Sequence, residues 1–488
     1  MAERILCEPL RDKIMSAQDA AQLVQNNMVV GMSGFTLCGY PKQVPSAIAA
    51  RVQAGEELGI TVITGASVGD DLDGVLARSN VIKRRYPYQS NKALRERINK
   101  NQISYVDMHL SQVPEWISEG FFGPVDLGII EVTKIDQDGN LYPSTSVGMT
   151  DTLVRCAKKL IVEVNFAQSL DLAGMHDIFS PGMYPDAQPV PIVAPSDRVG
   201  LPYIPCAQEK IAAIVCTNIP DPGSPLQPVH DNHRLMAEYL VEFLQNEQKY
   251  GRMQDPLPPL QSGVGSVANA VLSGFLDGRF RHLNFYSEVI QDGILDLLDA
   301  GIADFASATA LGLSADRLDQ FQGDIGRYKD KILLRPMGIS NGGEVIRRLH
   351  VIAMNTAIEC DIYGNINSTH IRGSRVMNGI GGSGDFARNA GLTVFFTEST
   401  AKNGSVSCIV PFCTHIDHTE HDVHIIVTEQ GLADLRGLTP KERAQRIIEQ
   451  CAHPKFRPAL RRYLERAEQG HIAHHLETAF QPLEAEEP

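Results

Sequence analysis

Short runs of aliphatic and β-branched residues recur along the chain, separated by stretches in which apolar positions return every three to four residues. Residues 28–32 (MVVGM) and 61–64 (TVIT) read as buried strands, each running into a Gly-rich turn, Ser33-Gly34-Phe35 and Gly65-Ala66-Ser67. Between them, residues 45–53 (PSAIAARVQ) have the apolar spacing of a crossover helix, so this stretch predicts one βαβ unit. A similar unit opens the second half. It has QSGVG at 261–265, a helix over 266–276, and a strand over 283–286 that leads to Glu288.

A second correspondence is more specific. Gly139-Asn140, a Ser/Thr cluster, Gly148, Asp151, Arg155 and the strand 160–164 have a counterpart in the second half. It consists of Gly364-Asn365, Ser368-Thr369, Gly384, Asp385, Arg388 and the strand 392–396. A period of roughly 230 residues is far too long for a solenoid repeat. The pattern therefore predicts an α/β protein of two similar open α/β domains related by internal duplication, with the active site at their interface. We place the domains at 1–225 and 226–488, with the boundary near Asp221-Pro222-Gly223-Ser224-Pro225. The Pro-rich stretch 255–259, which follows a helix expected over 232–248, is the alternative boundary.

Composition narrows the function classes. A formal charge of -14 over 488 residues disfavours nonspecific binding to nucleic acid or to anionic lipid. No apolar run approaches the roughly 20 residues of a membrane span, and the acidic residues of the first 23 positions argue against a secretory or transit leader. The nine cysteines are scattered, form no CxxC pair, and mostly sit among apolar neighbours, as expected of reduced thiols in a cytoplasmic protein.

Three segments could carry chemistry. Residues 379–384 (GIGGSG) satisfy GxGxxG, but the polar stretch before them lacks the strand that a dinucleotide fingerprint requires. Cys413, His415, Asp417, His418, Glu420, His421 and His424 have zinc-type side chains without HExxH or CxxC, and such histidines also order polar loops. The third feature is a pair of glutamates, Glu288 and Glu429. Each is expected at the end of a strand with a helix following.

Taken together, these segments resemble the acetyl-CoA hydrolase/transferase family of class I CoA transferases, which includes succinyl-CoA:acetate and propionyl-CoA:succinate CoA transferases. The resemblance runs from Ser33-Gly34-Phe35 through Gln261-Ser262-Gly263-Val264-Gly265, Tyr286-Ser287-Glu288-Val289 and Ile339-Ser340-Asn341. It continues through Glu359-Cys360-Asp361-Ile362-Tyr363-Gly364, residues 378–386, His415-Ile416-Asp417-His418 and residues 428–437. It implies that Glu288 is a covalent nucleophile that passes through glutamyl anhydride and glutamyl-CoA thioester intermediates. It further implies that the backbone N–H groups of Val264 and Gly382 form the oxyanion hole, and that Asn341 and Glu429 orient the nucleophile and the acyl group. Contacts to CoA would fall on Leu260, Gln261, Ser262, Gly263, Val264, Ile358, Asn378, Gly382 and Lys402, of which Lys402 alone offers a charge for the phosphates.

The chemistry independently accounts for these residue types. A carboxylate attacking a thioester yields a mixed anhydride of comparable energy, so CoA can move between acids without ATP, provided water is excluded. Donors from Gly-rich backbone are worth about 3 to 4 kcal/mol each in acyl transfer. The expected activity is ping-pong transfer of CoA between acetyl-, propionyl- or succinyl-CoA and a small carboxylate. Acetyl-CoA and its relatives would be substrates; no permanently bound cofactor and no metal are expected, and the family expectation is a homodimer. Acetyl-CoA hydrolysis at the same Glu288 is the alternative. A metal-dependent hydrolase at the His-rich run and an NAD(P) oxidoreductase at 379–384 are more distant ones.

Overall fold

The computed structural model describes residues 3–225, 227–481 and 483. Met1 and Ala2 at the head of the stretch read against a leader, residue 226 just past the expected boundary, and residues 482 and 484–488 lie outside it. The chain forms two compact units. The first comprises Met1–Pro225, Phe285–Leu295 and Asp304–Leu349, and the second Leu226–Asn284, Asp296–Ala303 and His350–Pro488. Glu288 thus packs with the first unit, although it follows residue 225 in sequence. The cause is local: Val289–Ile290 pairs in parallel with Ala310–Leu311, and Ala310 bridges to Ser146.

In the first unit seven parallel strands lie in the order Ser104–Tyr105, Ile82–Tyr86, Ile60–Thr64, Val29–Met32, Leu127–Val132, Lys159–Asn165 and Ile211–Thr217. The two strands expected from 28–32 and 61–64 are adjacent and joined by the helix Gln43–Gln53, so the first βαβ unit stands as read. That helix buries Val44, Ala47 and Ile48 against the sheet. Its first turn is held by a carboxylate from another strand, since Glu163 accepts the backbone N–H groups of Lys42, Gln43 and Val44. Negative charge at a helix start satisfies otherwise orphaned donors. The strand order reverses between Val29–Met32 and Leu127–Val132, the position at which open α/β sheets form clefts.

In the second unit, Leu260–Ser262, Ile352–Thr356, Leu392–Phe396 and Ile425–Thr428 run parallel, and Gly431–Asp434 closes the edge antiparallel. The helix Asp231–Lys249 presents Met236, Leu240 and Leu244 at helical spacing and packs on the helix Ser266–Phe275. Among the described residues no helix is long and apolar enough to cross a membrane.

The duplication is visible in detail. Lys134–Ile135 pairs with Leu141–Tyr142 as Glu359–Asp361 pairs with Ile366–Asn367, with Ile135 opposite Leu141 and Cys360 opposite Ile366. In each hairpin an aspartate closes the turn. Asp136 accepts the backbone and side-chain N–H groups of Asn140, and Asp361 those of Asn365. Gly139 and Gly364 take φ of 89° and 95°, conformations that favour glycine. The flanking strands also repeat, since Val29–Met32, Leu127–Val132, Lys159–Asn165 and Ile211–Thr217 have the same neighbour order as Leu260–Ser262, Ile352–Thr356, Leu392–Phe396 and Ile425–Thr428.

Candidate active site

Glu288 sits in the break between strands Leu283–Tyr286 and Val289–Ile290, so a second strand, and not a helix, follows it directly. Its backbone is pinned within the first unit. The Glu288 carbonyl accepts N–H groups from Thr309 (2.9 Å) and Ala310 (3.2 Å), and Ser287 N–H donates to the Ser307 carbonyl at 2.9 Å. Ser307 Oγ is itself held by the buried Arg335 at 2.8 Å, and Arg335 pairs with Asp177. A half-buried carboxylate therefore projects from a rigid frame.

Asn341 meets that carboxylate. Its Nδ2 donates to Glu288 Oε1 at 2.7 Å, although 53 residues separate them in sequence. Asn341 follows the short helix Met337–Ser340, whose start is fixed by Met337 N–H donating to the Gly148 carbonyl at 2.7 Å. Gly148 N–H donates to Thr309 Oγ1 at 2.9 Å, and Tyr286 Oη donates to the Ile339 carbonyl at 2.7 Å. The helix that ends at Asn341 and the segment that carries Glu288 are thus bolted to common partners. Gly148 does this at φ 51°, where a Cβ would stand 3.2 Å from the Gly34 carbonyl oxygen.

Tyr88 was not singled out from sequence. Burial, followed by the charge of Glu288, pushes its phenol above the ordinary value. An aromatic in the turn after strand Ile82–Tyr86 was the available signal. Ser340, Thr309 and Gly148 carried no chemical signal at all.

The other expected residues fall in the second unit, largely at the carboxyl ends of its parallel strands. Leu260, Gln261 and Ser262 form a buried strand; Gln261 bonds Asn355 and the Met354 N–H, and Gly263 N–H donates to the Met354 carbonyl. Val264 follows with its side chain 58% exposed, just before the helix Ser266–Phe275. Gly382 is the N-cap of the helix Ser383–Asn389, and Asn378 Nδ2 ties the approach to it through the carbonyls of Ser368 and Gly379. Ile358 N–H donates to the Asn367 carbonyl, and Lys402 is exposed at a hairpin tip.

Glu429 differs from its expected setting. It occupies a two-residue turn in which Thr428 pairs with Gly431, and the antiparallel strand Gly431–Asp434 follows where a helix was expected. Leu432 and Leu435 have helical spacing, but pairing with Ile425–Thr428 wins because it buries Ala433 at the sheet edge. The helix comes later, at Pro440–Gln450, started by a Thr439–Glu442 capping box. Burial would raise the Glu429 carboxyl, but bonds from Gln430 Nε2 (2.9 Å), Ser399 Oγ and Ser399 N–H (2.9 Å) outweigh it and hold the group below its usual range. It is ionised at neutral pH.

The two motifs of other chemistry have structural work. The segment before Gly379 forms a small antiparallel pair, His370–Ile371 with Arg375–Val376, in place of the parallel strand that a dinucleotide site needs. In the His-rich run, His415 bonds Asp417, whose carboxylate accepts from Ser368 and Thr369, His418 contacts Ser383 and Phe395, and His424 accepts the Thr393 N–H. These are loop-ordering bonds.

The profile of the acetyl-CoA hydrolase/transferase N-terminal domain matches residues 4–216, and that of the C-terminal domain matches residues 321–464. The chain is 49% identical to the succinyl-CoA:acetate CoA-transferase of Clostridium kluyveri, over 98% of this chain and 90% of that one. It is 41% identical to the acetyl-CoA hydrolase of Yarrowia lipolytica, covering 96% and 92%. In fold it is similar to the crystal structure of RipA from Yersinia pestis, with a TM-score of 0.72 at 22% identity over 93% and 96% of the two chains. With its parallel sheets, its Gly-rich turns at strand ends and matches that span nearly all of its length, the chain belongs to the acetyl-CoA hydrolase/transferase family.

Proposed function

We propose that the protein transfers CoA between a short-chain acyl-CoA and a small carboxylate, with Glu288 as the covalent nucleophile. The observation that carries this reading is the 2.7 Å bond from Asn341 Nδ2 to Glu288 Oε1 on a shared, rigid frame. A hydrogen bond to a carboxylate is worth about 1.5 to 3 kcal/mol and favours its charged form, the nucleophilic one.

The chemistry balances without an added reactant. A Glu288 oxygen attacks the thioester carbonyl and CoA leaves as its thiolate, giving an acyl-glutamyl anhydride. The thiolate attacks the glutamyl carbonyl, releasing the first carboxylate and leaving a glutamyl-CoA thioester. An incoming carboxylate attacks that thioester, and the returning thiolate takes the new acyl group and frees Glu288. In this reading the backbone N–H groups of Val264 and Gly382 serve the developing oxyanions. Leu260, Gln261, Ser262, Gly263, Ile358, Asn378 and Lys402 are the CoA contacts. Glu429, held ionised by Ser399 and Gln430, is a positioning group for the acyl end. CoA enters as substrate, and the cycle calls on no resident metal or cofactor.

Hydrolysis by the same nucleophile is the second reading, favoured by the 41% identity to a chain named acetyl-CoA hydrolase. The two separate on acceptor dependence. With succinyl-CoA as donor, adding acetate or propionate is expected to speed thioester exchange at least about tenfold over loss in buffer alone, because a site that holds an anhydride must exclude water. Equal loss with and without a carboxylate would assign hydrolysis instead.

A further inference from the structure

We propose that Ser340 is a positioning residue for the nucleophile, acting by fixing the rotation of the Asn341 amide so that its N–H, and not its carbonyl, faces Glu288. The inference deepens the reading of Glu288 as nucleophile and rests on it. Ser340 Oγ lies 2.9 Å from Asn341 Oδ1 and donates to it, while Asn341 Nδ2 donates to Glu288 Oε1 at 2.7 Å. The second acceptor near Ser340 Oγ is the Met337 carbonyl at 3.5 Å, so the hydroxyl hydrogen is better used on the asparagine. Ser340 and Asn341 are both 0% exposed.

An asparagine side chain has nearly the same shape in its two amide orientations, so packing alone does not choose between them. Here the choice has chemical consequences. With Nδ2 toward Glu288 the carboxylate is stabilised through Oε1. With Oδ1 toward Glu288 two partial negative charges meet, and the nucleophile is driven from its place and its pKa raised. The surrounding frame positions both backbones through Gly148, Thr309 and the Tyr286 to Ile339 bond, but none of these touches the amide. The serine hydroxyl and the Glu288 carboxylate bond the two ends of the amide and select the same orientation.

The test follows the rate of covalent adduct formation on the intact enzyme, with acetyl-CoA and no acceptor, in wild type, Ser340→Ala, Ser340→Cys, Asn341→Ala and the Ser340→Ala/Asn341→Ala double variant. Ser340→Ala is expected to slow adduct formation about tenfold, the loss of one oriented hydrogen bond, with KM for acetyl-CoA within about twofold. The acid limb of its pH–rate profile should move to higher pH, because an unsupported carboxylate holds its proton more tightly. Ser340→Cys, a near-isostere with a weaker donor, should fall between wild type and alanine. In the double variant the serine change should add no further loss, since it acts only through the asparagine. Adduct formation by Ser340→Ala at the wild-type rate, or losses that multiply in the double variant, would overturn the proposal while leaving Glu288 as nucleophile. Absence of an adduct in wild type would overturn both.

Discussion

Glu288→Ala is expected to lower kcat/KM for CoA transfer by about 10⁴-fold or more, the scale on which enzymes lose activity when a covalent nucleophile is removed. The fold should survive the change. What holds this segment is its backbone, through the bonds from Thr309 and Ala310 to the Glu288 carbonyl, and alanine retains both. The side chain is only half-buried, so its removal opens no large cavity, and the stability lost comes mainly from the Asn341 amide deprived of its acceptor, about 1 to 3 kcal/mol. Glu288→Asp is a sharper version. It keeps the charge but draws the oxygens back by about one bond length, and misplacement of roughly 1 Å costs on the order of 10²-fold. Steady-state transfer assays alongside thermal unfolding would check both variants. More than about 1% of wild-type activity in Glu288→Ala would place the chemistry elsewhere.

The largest effect on stability is expected at Lys42. Its ammonium is fully buried between Glu131 (2.6 Å) and Asp221 (2.9 Å) and also donates to the Tyr40 carbonyl. Burial would lower its pKa, but the two carboxylates outweigh that and hold it above the ordinary value. Glu131 also takes bonds from Ser144 and Asn165, and Asp221 from Thr145 and Gln168. Lys42→Met keeps much of the stem and strands two buried carboxylates without their cation, so it should cost about 3 to 5 kcal/mol, or roughly 10 °C in a unit of this size. Activity should fall as well. Leu311 N–H donates to the Thr145 carbonyl and Val147 N–H to the Thr309 carbonyl, so the extended segment 145–147 next to the triad is the one that bonds Thr309 beside Glu288. Calorimetric unfolding decides the matter: a loss under about 1 kcal/mol would mean that the three groups are solvated or rearranged.

The parallel-sheet architecture was legible because its strands are short aliphatic runs bounded by glycine, and because the hairpin motif Asp-x-x-Gly-Asn is used twice with the same hydrogen bonds. Elements with weaker local signals misled. Residues 431–435 have helical apolar spacing, and only pairing with a strand already in the sheet turns them extended, so Glu429 sits in a tight turn and not ahead of a helix. Lys42 carried no signal in the sequence, since its partners lie 89 and 179 positions away. The candidate site was legible to a similar degree. Glu288 and Glu429 stood out as carboxylates near strand ends, but that did not tell them apart, and the pairing of Glu288 with Asn341 came from family resemblance. Ser340 lies inside the resembling segment Ile339-Ser340-Asn341, but a role for it has no signature until its neighbour's amide is seen.

The central claim is that Glu288 forms a covalent bond to CoA during turnover. Its most direct test is intact-mass measurement, with peptide mapping, after mixing the protein with acetyl-CoA and no acceptor. The account predicts a glutamyl-CoA thioester, a mass increase of CoA less one water, located on the peptide containing Glu288 and absent from Glu288→Ala. Full turnover with an unmodified Glu288 peptide at every time point would contradict it.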